Sequence, residues 1–391
     1  MFLRAIAKVI NAYLSKGRNI LLLGPRQTGK TTLIQQIPAA LFISFIQPRL
    51  RLRYERDPSL LADEVEALAE TMAAMPLVIV DEVQKVPLIM DVIQDLIDRK
   101  IAQFIITGSS ARKLKRSGSM NLLPGRVIPL HMDPLTLPEL AHQKMDLEAL
   151  LLYGTLPQIY LTEALVDKNE LLNAYVSLYL EEEIRAESIV RNLANFAQFM
   201  ELAASEAGNT VNYLKLSQEI GVAHSTIAAY YQICEDCLLM ERVPPFLQGK
   251  TRRKLQRAQK YLFFDLGVRR IAAREGTEPA RTILGRLFEQ FVGLELLRHC
   301  RFLNAENRLF YWRDTNGFEI DWLLQLANGE LIPIEVKLTD TPSVQDAKHL
   351  NIFLNEYSEA KVGYIICQTP RRAKITSNIY ALPWQEMLTL F

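Results

Sequence analysis

The chain has 391 residues, of which 49% are hydrophobic and 23% charged, and its formal net charge is +1. This length allows two or three globular domains, and the balanced charge excludes a uniformly basic protein, so any nucleic-acid surface must be a local patch. Near the start, Arg4 and Lys8 interrupt the apolar positions at helical spacing, which predicts an amphipathic helix instead of a secretory signal. No apolar run approaches the ~18 residues of a membrane span. Because four scattered cysteines also fit a reducing compartment, we expect a cytoplasmic protein with no membrane partner.

The motif GPRQTGKTT follows the apolar run Ile20–Leu23 and precedes a helical run, Thr31–Gln36. Its spacing is that of a P-loop, in which backbone N–H groups surround a β-phosphate. Lys30 then reaches the β and γ oxygens, and the Thr31 hydroxyl binds Mg2+. The alternative is a glycine-rich turn without function. We expect ATP and Mg2+ as cofactors, bound by Gly24, Pro25, Arg26, Gln27, Thr28, Gly29, Lys30, Thr31 and Thr32.

A second motif, LVIVDE, supplies the acids that a P-loop requires. Leu77–Val80 is a short apolar run typical of a strand buried on both faces of a parallel sheet. Asp81 and Glu82 then lie at the carboxyl end of the strand, where open α/β sheets bind ligands. We expect Asp81 to hold Mg2+ through water and Glu82 to orient the attacking water. The alternative is a strand that ends in solvated acids.

A third buried strand, Gln103–Thr107, ends in polar residues, and a fourth begins at Arg126. A hydroxyl of Thr107 or Ser109 at the strand end is a candidate sensor of the γ-phosphate. Arg126 has two interpretations. It either stabilises charge on the transferred phosphoryl group, in cis or from a neighbouring subunit of a homo-oligomer, or it is a structural, ion-paired arginine.

Residues 146–204 have helical periodicity, and the pattern changes at residue 205. We predict a helix, a tight turn at Gly221, a second helix with Ser225 as its N-cap, and two strands, Leu238–Val243 and Tyr261–Phe264. This order is typical of a winged helix-turn-helix, so we expect residues 205–260 to contact DNA. The alternative is a protein-interaction winged helix. Ser225, Thr226 and Tyr230 would face a DNA groove, and the basic residues between the strands are Lys250, Arg252, Arg253, Lys254, Arg257 and Lys260.

Cys234 and Cys237 form a CxxC within this helical pattern. No second cysteine pair accompanies them, so we predict two core thiols and no zinc or redox site.

The last third contains Asn328-Gly329 between two alternating apolar runs, a strong hairpin signal. Phe318–Leu326 and Glu330–Leu338 should therefore pair as antiparallel strands. Side chains two apart share a face, so Glu319 joins Asp321, and Glu335 joins Lys337. Asp321, Glu335 and Lys337 would meet at one site, where the carboxylates bind Mg2+ and the lysine orients a hydrolytic water. An upstream helix can add Glu289. The alternative is a half-exposed hairpin with ordinary surface charges.

Over nearly its whole length the chain resembles a family of bacterial and archaeal AAA+-like ATPases whose C-terminal half is a domain of unknown function. The matching segments are GPRQTGKTT, LVIVDEVQKVP, FIITGSSARKL, GRVIPLHMDPLTLPEL, GNTVNYLKLSQEIGV, YLFFDLGVRRI, GRLFEQFVGLEL, EIDWLLQL and IPIEVK. The resemblance implies a C-terminal module similar to PD-(D/E)XK nucleases. Glu289, Asp321, Glu335 and Lys337 match its catalytic positions, although Ile320 replaces the proline of that motif.

The expected fold class is α/β with four parts. They are a parallel-sheet P-loop ATPase domain (1–145), a helical segment (146–204), a winged helix-turn-helix (205–270) and a restriction-endonuclease-like α/β domain (271–391). Two functional hypotheses remain open. One is an ATPase coupled to a metal-dependent nuclease that contacts DNA. The other is an ATP-switched DNA- or protein-binding regulator whose nuclease-like module is a catalytically silent scaffold.

Overall fold

The computed structural model describes residues 2–109, 123–143, 145–180, 192–247, 255–303 and 306–391. The chain divides into two compact units, the first of Met1–Leu135 with Ile233–Leu239 and the second of Thr136–Gln232 with Met240–Phe391. Within the described ranges, no helix is both long and apolar enough to cross a membrane. The four cysteines are buried free thiols, which confirms the prediction of core thiols for Cys234 and Cys237.

Five parallel strands form the central sheet of the first unit. The three central strands are nearly continuous apolar runs, because both of their faces are buried, whereas the two edge strands are partly exposed. In spatial order the five strands are β2 (Leu41–Ser44), β3 (Leu77–Asp81), β4 (Gln103–Gly108), β1 (Asn19–Leu23) and β5 (Val127–His131). The strands predicted at Ile20–Leu23, Leu77–Val80 and Gln103–Thr107 are therefore confirmed as β1, β3 and β4, each to within one or two residues.

The described helices of the first unit surround this sheet. The first is amphipathic, as predicted, and buries Ile6 and Ile10. The second begins directly after the glycine-rich motif. They are α1 (Ala5–Leu14), α2 (Lys30–Ile34), α3 (Pro48–Arg56), α4 (Leu60–Thr71) and α5 (Ile89–Asp98), with a 3-10 turn at Val83–Lys85. Apolar residues of α4 and α5 join the strands in one core, which includes Val65, Ile93 and Ile106.

The second unit begins with helices, as the periodicity of residues 146–204 predicted. They are α6 (Leu137–Leu140), α7 (Leu147–Tyr153), α8 (Pro157–Leu161), α9 (Leu165–Ala174), a π-helix at Tyr175–Leu180, and α10 (Leu193–Ser205). The next elements follow the helix-turn-helix order: α11 (Tyr213–Ile220), α12 (His224–Asp236), β6 (Met240–Val243) and the antiparallel β7 (Lys260–Phe263). Gly221 ends α11 in the left-handed conformation, with φ of 74°, so the predicted turn is confirmed.

Two details of this segment were predicted wrongly. Helix α12 starts at His224, so Ser225 lies inside the first turn and is not the N-cap. Tyr230 is only 4% exposed and packs edge-on against Phe196, with ring centroids 4.9 Å apart. A buried core tyrosine cannot face a DNA groove, whereas Ser225 is exposed and Thr226 half-buried.

The segments before and after the expected basic wing each form a β-bridge with a residue of the C-terminal part of the chain. Pro245 forms a parallel bridge with Tyr311, and Leu255 forms an antiparallel bridge with Asp314. Arg257 is exposed. The remaining wing cations except Lys260, namely Lys250, Arg252, Arg253 and Lys254, lie outside the described residues.

A mixed six-stranded sheet organises the C-terminal part. Its spatial order is β12 (Ala373–Lys374), β13 (Ile379–Pro383), β11 (Gly363–Cys367), β10 (Leu331–Val336), β9 (Glu319–Gln325) and β8 (Arg308–Arg313). The β8, β9 and β10 strands are antiparallel, whereas β10, β11 and β13 are parallel. The predicted hairpin is confirmed, and Gly329 takes φ of 86° in its turn. The other elements are α13 (Leu266–Ala272), α14 (Arg281–Leu303), α15 (Lys348–Glu356) and a 3-10 helix at Trp384–Leu390.

A close approach between α14 and β9 places the helix against the sheet. A Cβ added at Gly293 would lie 2.5 Å from the ring of Trp322. The indole N–H of Trp322 donates to the backbone oxygen of Glu289, one turn earlier on α14, at 2.9 Å. Gly293 therefore leaves room for the Trp322 indole, and the hydrogen bond from that indole holds the backbone of Glu289 beside the sheet.

Replacing Gly293 with alanine should destabilise the second unit by about 1–3 kcal/mol, because the indole has no room to move away. Gly285, on the same helix, has no atom within 4 Å of an added Cβ. Gly285→Ala should therefore be neutral or stabilise by ~0.5–1 kcal/mol. Thermal unfolding followed by tryptophan fluorescence measures both, and equal melting temperatures would contradict the close packing.

Candidate functional site

The backbone of the glycine-rich motif has the conformation that a phosphate-binding loop needs. Gln27 and Gly29 have φ of 61° and 93°, and alternating left-handed residues turn successive N–H groups inward. Gly24 is required for a different reason. A Cβ there would lie 2.3 Å from the backbone oxygen of Met132, on the chain after β5. Gly24 therefore has no room for a side chain, and Gly29 has a backbone conformation in which a side chain would be strained.

Lys30 is the buried cation of this loop. Its side chain is 5% exposed, and Nζ donates to the backbone oxygens of Gly24 at 2.6 Å and Pro25 at 2.8 Å. The ammonium is therefore held at the loop by carbonyl oxygens, which phosphate oxygens could replace.

Asp81 is the centre of a network of hydroxyl groups at the carboxyl ends of the strands. The carboxylate is fully buried and accepts from Thr31 Oγ1 at 3.1 Å, Ser44 Oγ at 3.0 Å and Thr107 Oγ1 at 2.6 Å. A buried carboxylate requires such donors. Thr107 also accepts from the backbone N–H of Glu82 at 3.1 Å. Its hydroxyl therefore positions the two acids, and the γ-phosphate sensor role of Thr107 stays a prediction.

Glu82 is held beside Asp81 by a side chain that sequence reasoning missed. The residue takes a left-handed φ of 58°, and Oε2 accepts from Gln84 Nε2 at 2.6 Å. The same amide also donates to Ser109 Oγ at 2.9 Å, so Gln84 links Glu82 to Ser109, and the sensor role of Ser109 stays a prediction. The sequence could have suggested the contact between Gln84 and Glu82, because the two residues are close in the chain. It could not have suggested the contact with Ser109, which is distant in sequence.

Arg4 is a second missed residue. Its guanidinium donates to the backbone oxygen of Thr28, in the loop, at 2.5 Å and to that of Asp133, after β5, at 2.6 Å. In the sequence Arg4 indicated only the polar face of a helix. In the folded unit it holds the loop against the chain that follows β5.

Arg126 is not near the loop. It precedes β5, at the amino edge of a parallel sheet whose carboxyl edge carries the loop and the acids. Its guanidinium makes a two-point contact with Asp98, at 2.6 and 2.9 Å, and this contact lowers the pKa of Asp98. The in-cis phosphate role was therefore wrong, and the ion-paired alternative is the one observed. A role in trans stays a prediction.

The C-terminal sheet brings the four expected side chains of the second unit into one cluster. Trp322 of β9 and Ile334 of β10 are the last aligned pair of these two antiparallel strands. Asp321 and Glu335 are the residues next to that pair. Asp321 Oδ2 accepts from the backbone N–H of Val336 at 2.8 Å, and Lys337 Nζ lies 2.8 Å from Glu335 Oε1. Glu289, on α14, acts electrostatically on both Asp321 and Glu335.

Lys260 and Glu319 also belong to this cluster. Lys260 is 2% exposed, and its Nζ lies 3.1 Å from Glu289 Oε1 and 2.9 Å from Glu319 Oε1. The ammonium also lies over the rings of Tyr311 and Trp322, at 5.2 and 5.0 Å. Its assignment to a DNA-binding wing was therefore wrong, because a buried, ion-paired lysine cannot contact a phosphate backbone.

The cluster shifts the protonation of its members. Burial, and then Glu335 and Glu289, raise the pKa of Asp321 well above its ordinary value. Burial raises the pKa of Glu335 to about 6, although Lys337 opposes the shift. Burial alone would lower the pKa of Lys260, but the surrounding carboxylates raise it, so the lysine stays charged.

These residues fit a divalent cation beside Asp321 and Glu335. Glu335 Oε2 is buried, and no donor among the described residues reaches it. Two adjacent carboxyl groups with raised pKa values repel one another when both are ionised. Oxygen ligands of this kind suit Mg2+ or Mn2+.

Family comparisons divide the chain into three segments. Residues 16–141 match a family described as an AAA domain, so this part of the chain is similar to AAA domains. Residues 144–278 and 284–387 match two families that are each described as a domain of unknown function, DUF8612 and DUF4143. The nuclease-like and winged-helix assignments therefore stay predictions.

Solved structures that match the chain are distant. Cdc6p from Pyrobaculum aerophilum is 14% identical with a TM-score of 0.29, and the match covers 73% of this chain and 92% of that one. The clamp loader delta protein of Bacillus subtilis is 14% identical with a TM-score of 0.27, over 59% and 87%. A signal transduction ATPase from Pyrococcus horikoshii is 14% identical with a TM-score of 0.29, over 77% and 47%. Scores this low carry no conclusion about function. No curated protein matches the chain.

The raised pKa of Glu335 makes the stability of the second unit depend on pH. The folded protein binds this proton more tightly than the unfolded chain, whose glutamate has the ordinary pKa of 4.5. The resulting stabilisation is complete below pH 4.5 and is lost as the pH rises through about 6. Glu335→Gln stays neutral and should reduce this decrease by on the order of 1–2 kcal/mol, leaving the part that the raised pKa of Asp321 contributes.

Unfolding by urea at several pH values between 4 and 8 measures the effect. Glu359→Gln, which removes an exposed carboxylate, should keep the pH dependence of the wild type. The same decrease in Glu335→Gln would show that Glu335 does not titrate in this range.

Proposed function

We propose that the first unit binds and hydrolyses ATP with Mg2+. The observation that carries this proposal is the hydroxyl network that joins Thr31, at the start of α2, to the buried Asp81. It places a magnesium-binding hydroxyl and a carboxylate at one edge of the sheet, beside a loop with inward-turned N–H groups. Mg2+, when bound, would neutralise the β and γ oxygens.

The residues of this unit then have distinct tasks. The loop N–H groups and Lys30 bind the phosphates, and Thr31 with Asp81 would hold the metal, Asp81 through water. Glu82 orients the attacking water as a general base, in a position maintained by Gln84. Arg4 holds the loop by donating to the backbone oxygens of Thr28 and Asp133.

We further propose that the carboxyl-terminal cluster is a PD-(D/E)XK-like site for cleavage of a phosphodiester. Asp321 and Glu335 would hold a divalent ion, which supplies Lewis-acid stabilisation of the phosphate. Lys337, which is half-exposed and borders Glu335, would orient the water. ATP hydrolysis in the first unit would gate this reaction.

DNA is the proposed substrate, and the winged helix-turn-helix of residues 205–270 is the proposed DNA-contacting element. The order of α11, α12, β6 and β7 supports it, as do the exposed Ser225 and Arg257. A local patch of this kind is also what the net charge of +1 requires.

One observation favours the alternative of an ATP-switched regulator with a silent scaffold. The buried Lys260 already neutralises part of the acidic cluster. A cluster balanced entirely by lysines would need no metal and would cut nothing. Metal binding therefore separates the two functions.

The ATPase proposal predicts two variants that differ in kind. Lys30→Ala should weaken ATP binding by roughly 10-fold to 100-fold, because a charge-assisted hydrogen bond is lost. Glu82→Gln should bind ATP normally and hydrolyse it on the order of 10²–10⁴ times more slowly. Fluorescent-nucleotide titration and phosphate release measure the two effects. Unchanged ATP affinity in Lys30→Ala would refute the P-loop assignment.

The nuclease proposal predicts a metal response in the absence of nucleotide. At an Mn2+ concentration of about 100 times Kd, the second unit should be stabilised by roughly 2.7 kcal/mol, and this gain should vanish in Asp321→Asn. Asp340→Asn, which changes an exposed acid near the end of β10, should respond like the wild type. Thermal unfolding against Mn2+ gives the comparison.

Nicking of a supercoiled plasmid, with Mg2+ or Mn2+ and with or without ATP, tests the chemistry. Lys337→Ala should keep the metal response and lose cleavage, because this lysine orients water and does not bind the metal. A metal response without cleavage in the wild type would favour the regulator.

A further inference from the structure

We propose that Lys260 is a resident cation of the carboxylate cluster, whose ammonium occupies the place of a divalent ion between Glu289 and Glu319. This inference rests on the proposed function of the cluster as a metal site. With Lys260 between Glu289 and Glu319, the proposed metal site is limited to the space beside Asp321 and Glu335.

A lysine as deeply buried as Lys260 is retained only when its charge is compensated, because removal from water costs several kcal/mol. Nζ lies within 3.1 Å of one carboxylate oxygen from Glu289 and one from Glu319. The rings of Tyr311 and Trp322 cover it and add cation–π attraction. With 2% of its surface exposed, Lys260 is enclosed by protein.

The charges in the cluster are unevenly distributed. Glu319 faces two cations, since Arg313 Nη1 lies 3.3 Å from its second oxygen, and Glu289 faces Lys260. Among the described residues, Glu335 has Lys337 at contact distance, whereas Lys337 and Lys260 act on Asp321 only from farther away. The unpartnered, buried Oε2 is on Glu335. The deficit of positive charge is therefore on the side of Asp321 and Glu335.

The strand that supplies Lys260 lies outside the C-terminal family segment. Lys260 is the first residue of β7 and is aligned with Val243 of β6, whereas the segment matched to the C-terminal family covers residues 284–387. The cluster thus obtains an essential charge from the helix-turn-helix segment. A fragment that began after residue 270 would contain the four carboxylates without their buried cation.

The test counts the Mn2+ ions bound by the full chain without nucleotide at pH 8, from the electron paramagnetic resonance signal of free Mn2+. Lys260→Gln should bind one equivalent more than the wild type, because the carboxylates of Glu289 and Glu319 become available to a divalent ion. Lys260→Arg keeps the charge and should bind the same number as the wild type. An equal number of bound ions in Lys260→Gln and wild type would overturn the proposal.

The outcomes distinguish this proposal from the function on which it rests. Binding in Lys260→Gln but not in the wild type would support the resident cation and refute the metal-dependent site of the natural chain. One ion in both would refute the resident cation alone, and no ion in either would refute both.

Lys260→Gln leaves buried carboxylates without their partner, so it must also be tested for folding. Its melting temperature should rise more steeply with Mn2+ than that of the wild type, and if the variant is unfolded, Mn2+ should restore its far-ultraviolet circular dichroism. An equal shift in melting temperature, or no recovery of an unfolded variant, would overturn the proposal. The double variant Lys260→Gln/Glu319→Gln removes the pair together and should lose the additional ion.

Discussion

A carboxylate can leave water only if donors or positive charges replace its hydration, and both candidate sites depend on this constraint. In the first unit, three hydroxyl groups surround the buried Asp81, so that the strand ends β2, β3 and β4 and the start of α2 must meet at one point. In the second unit, lysines perform the same task for Glu289, Glu319 and Glu335. The positions of the surrounding elements follow from these contacts.

The two solutions differ in what they leave for a ligand. Hydroxyl donors carry no net charge, so they leave the formal charge of the Asp81 carboxylate uncancelled beside the phosphate-binding loop. Lysines cancel carboxylate charge, so the C-terminal cluster keeps only the part of its charge that they do not reach. The unpartnered oxygen of Glu335 and the raised pKa of Asp321 mark that part. A domain similar to AAA domains and a partly neutralised acidic cluster are therefore joined in one chain.

Much of each site could be predicted from local sequence. The loop glycines, Lys30, Thr31, Asp81 and Glu82 occur at spacings that a strand, a turn and a helix convert directly into positions. The alternation of apolar and polar residues around Asn328-Gly329 likewise placed Asp321, Glu335 and Lys337 on one side of a hairpin. Arg126 and Lys260 were misassigned, because a basic residue in a sequence does not reveal the acid that will pair with it. Their partners, Asp98 and Glu289 with Glu319, are 28 or more residues away.

The sequence by itself determined the strands and helices that carry the motifs and the residues that share a face, because hydrophobic period and turn chemistry act over a few residues. Only the tertiary structure decided which charges are compensated. Packing of α14 against β9 brought Glu289 to the sheet, β7 inserted Lys260 between two carboxylates, and the ends of β3 and β4 brought Gln84 to both Glu82 and Ser109. Such contacts join residues far apart in the chain, and their strength depends on the burial that the whole unit creates.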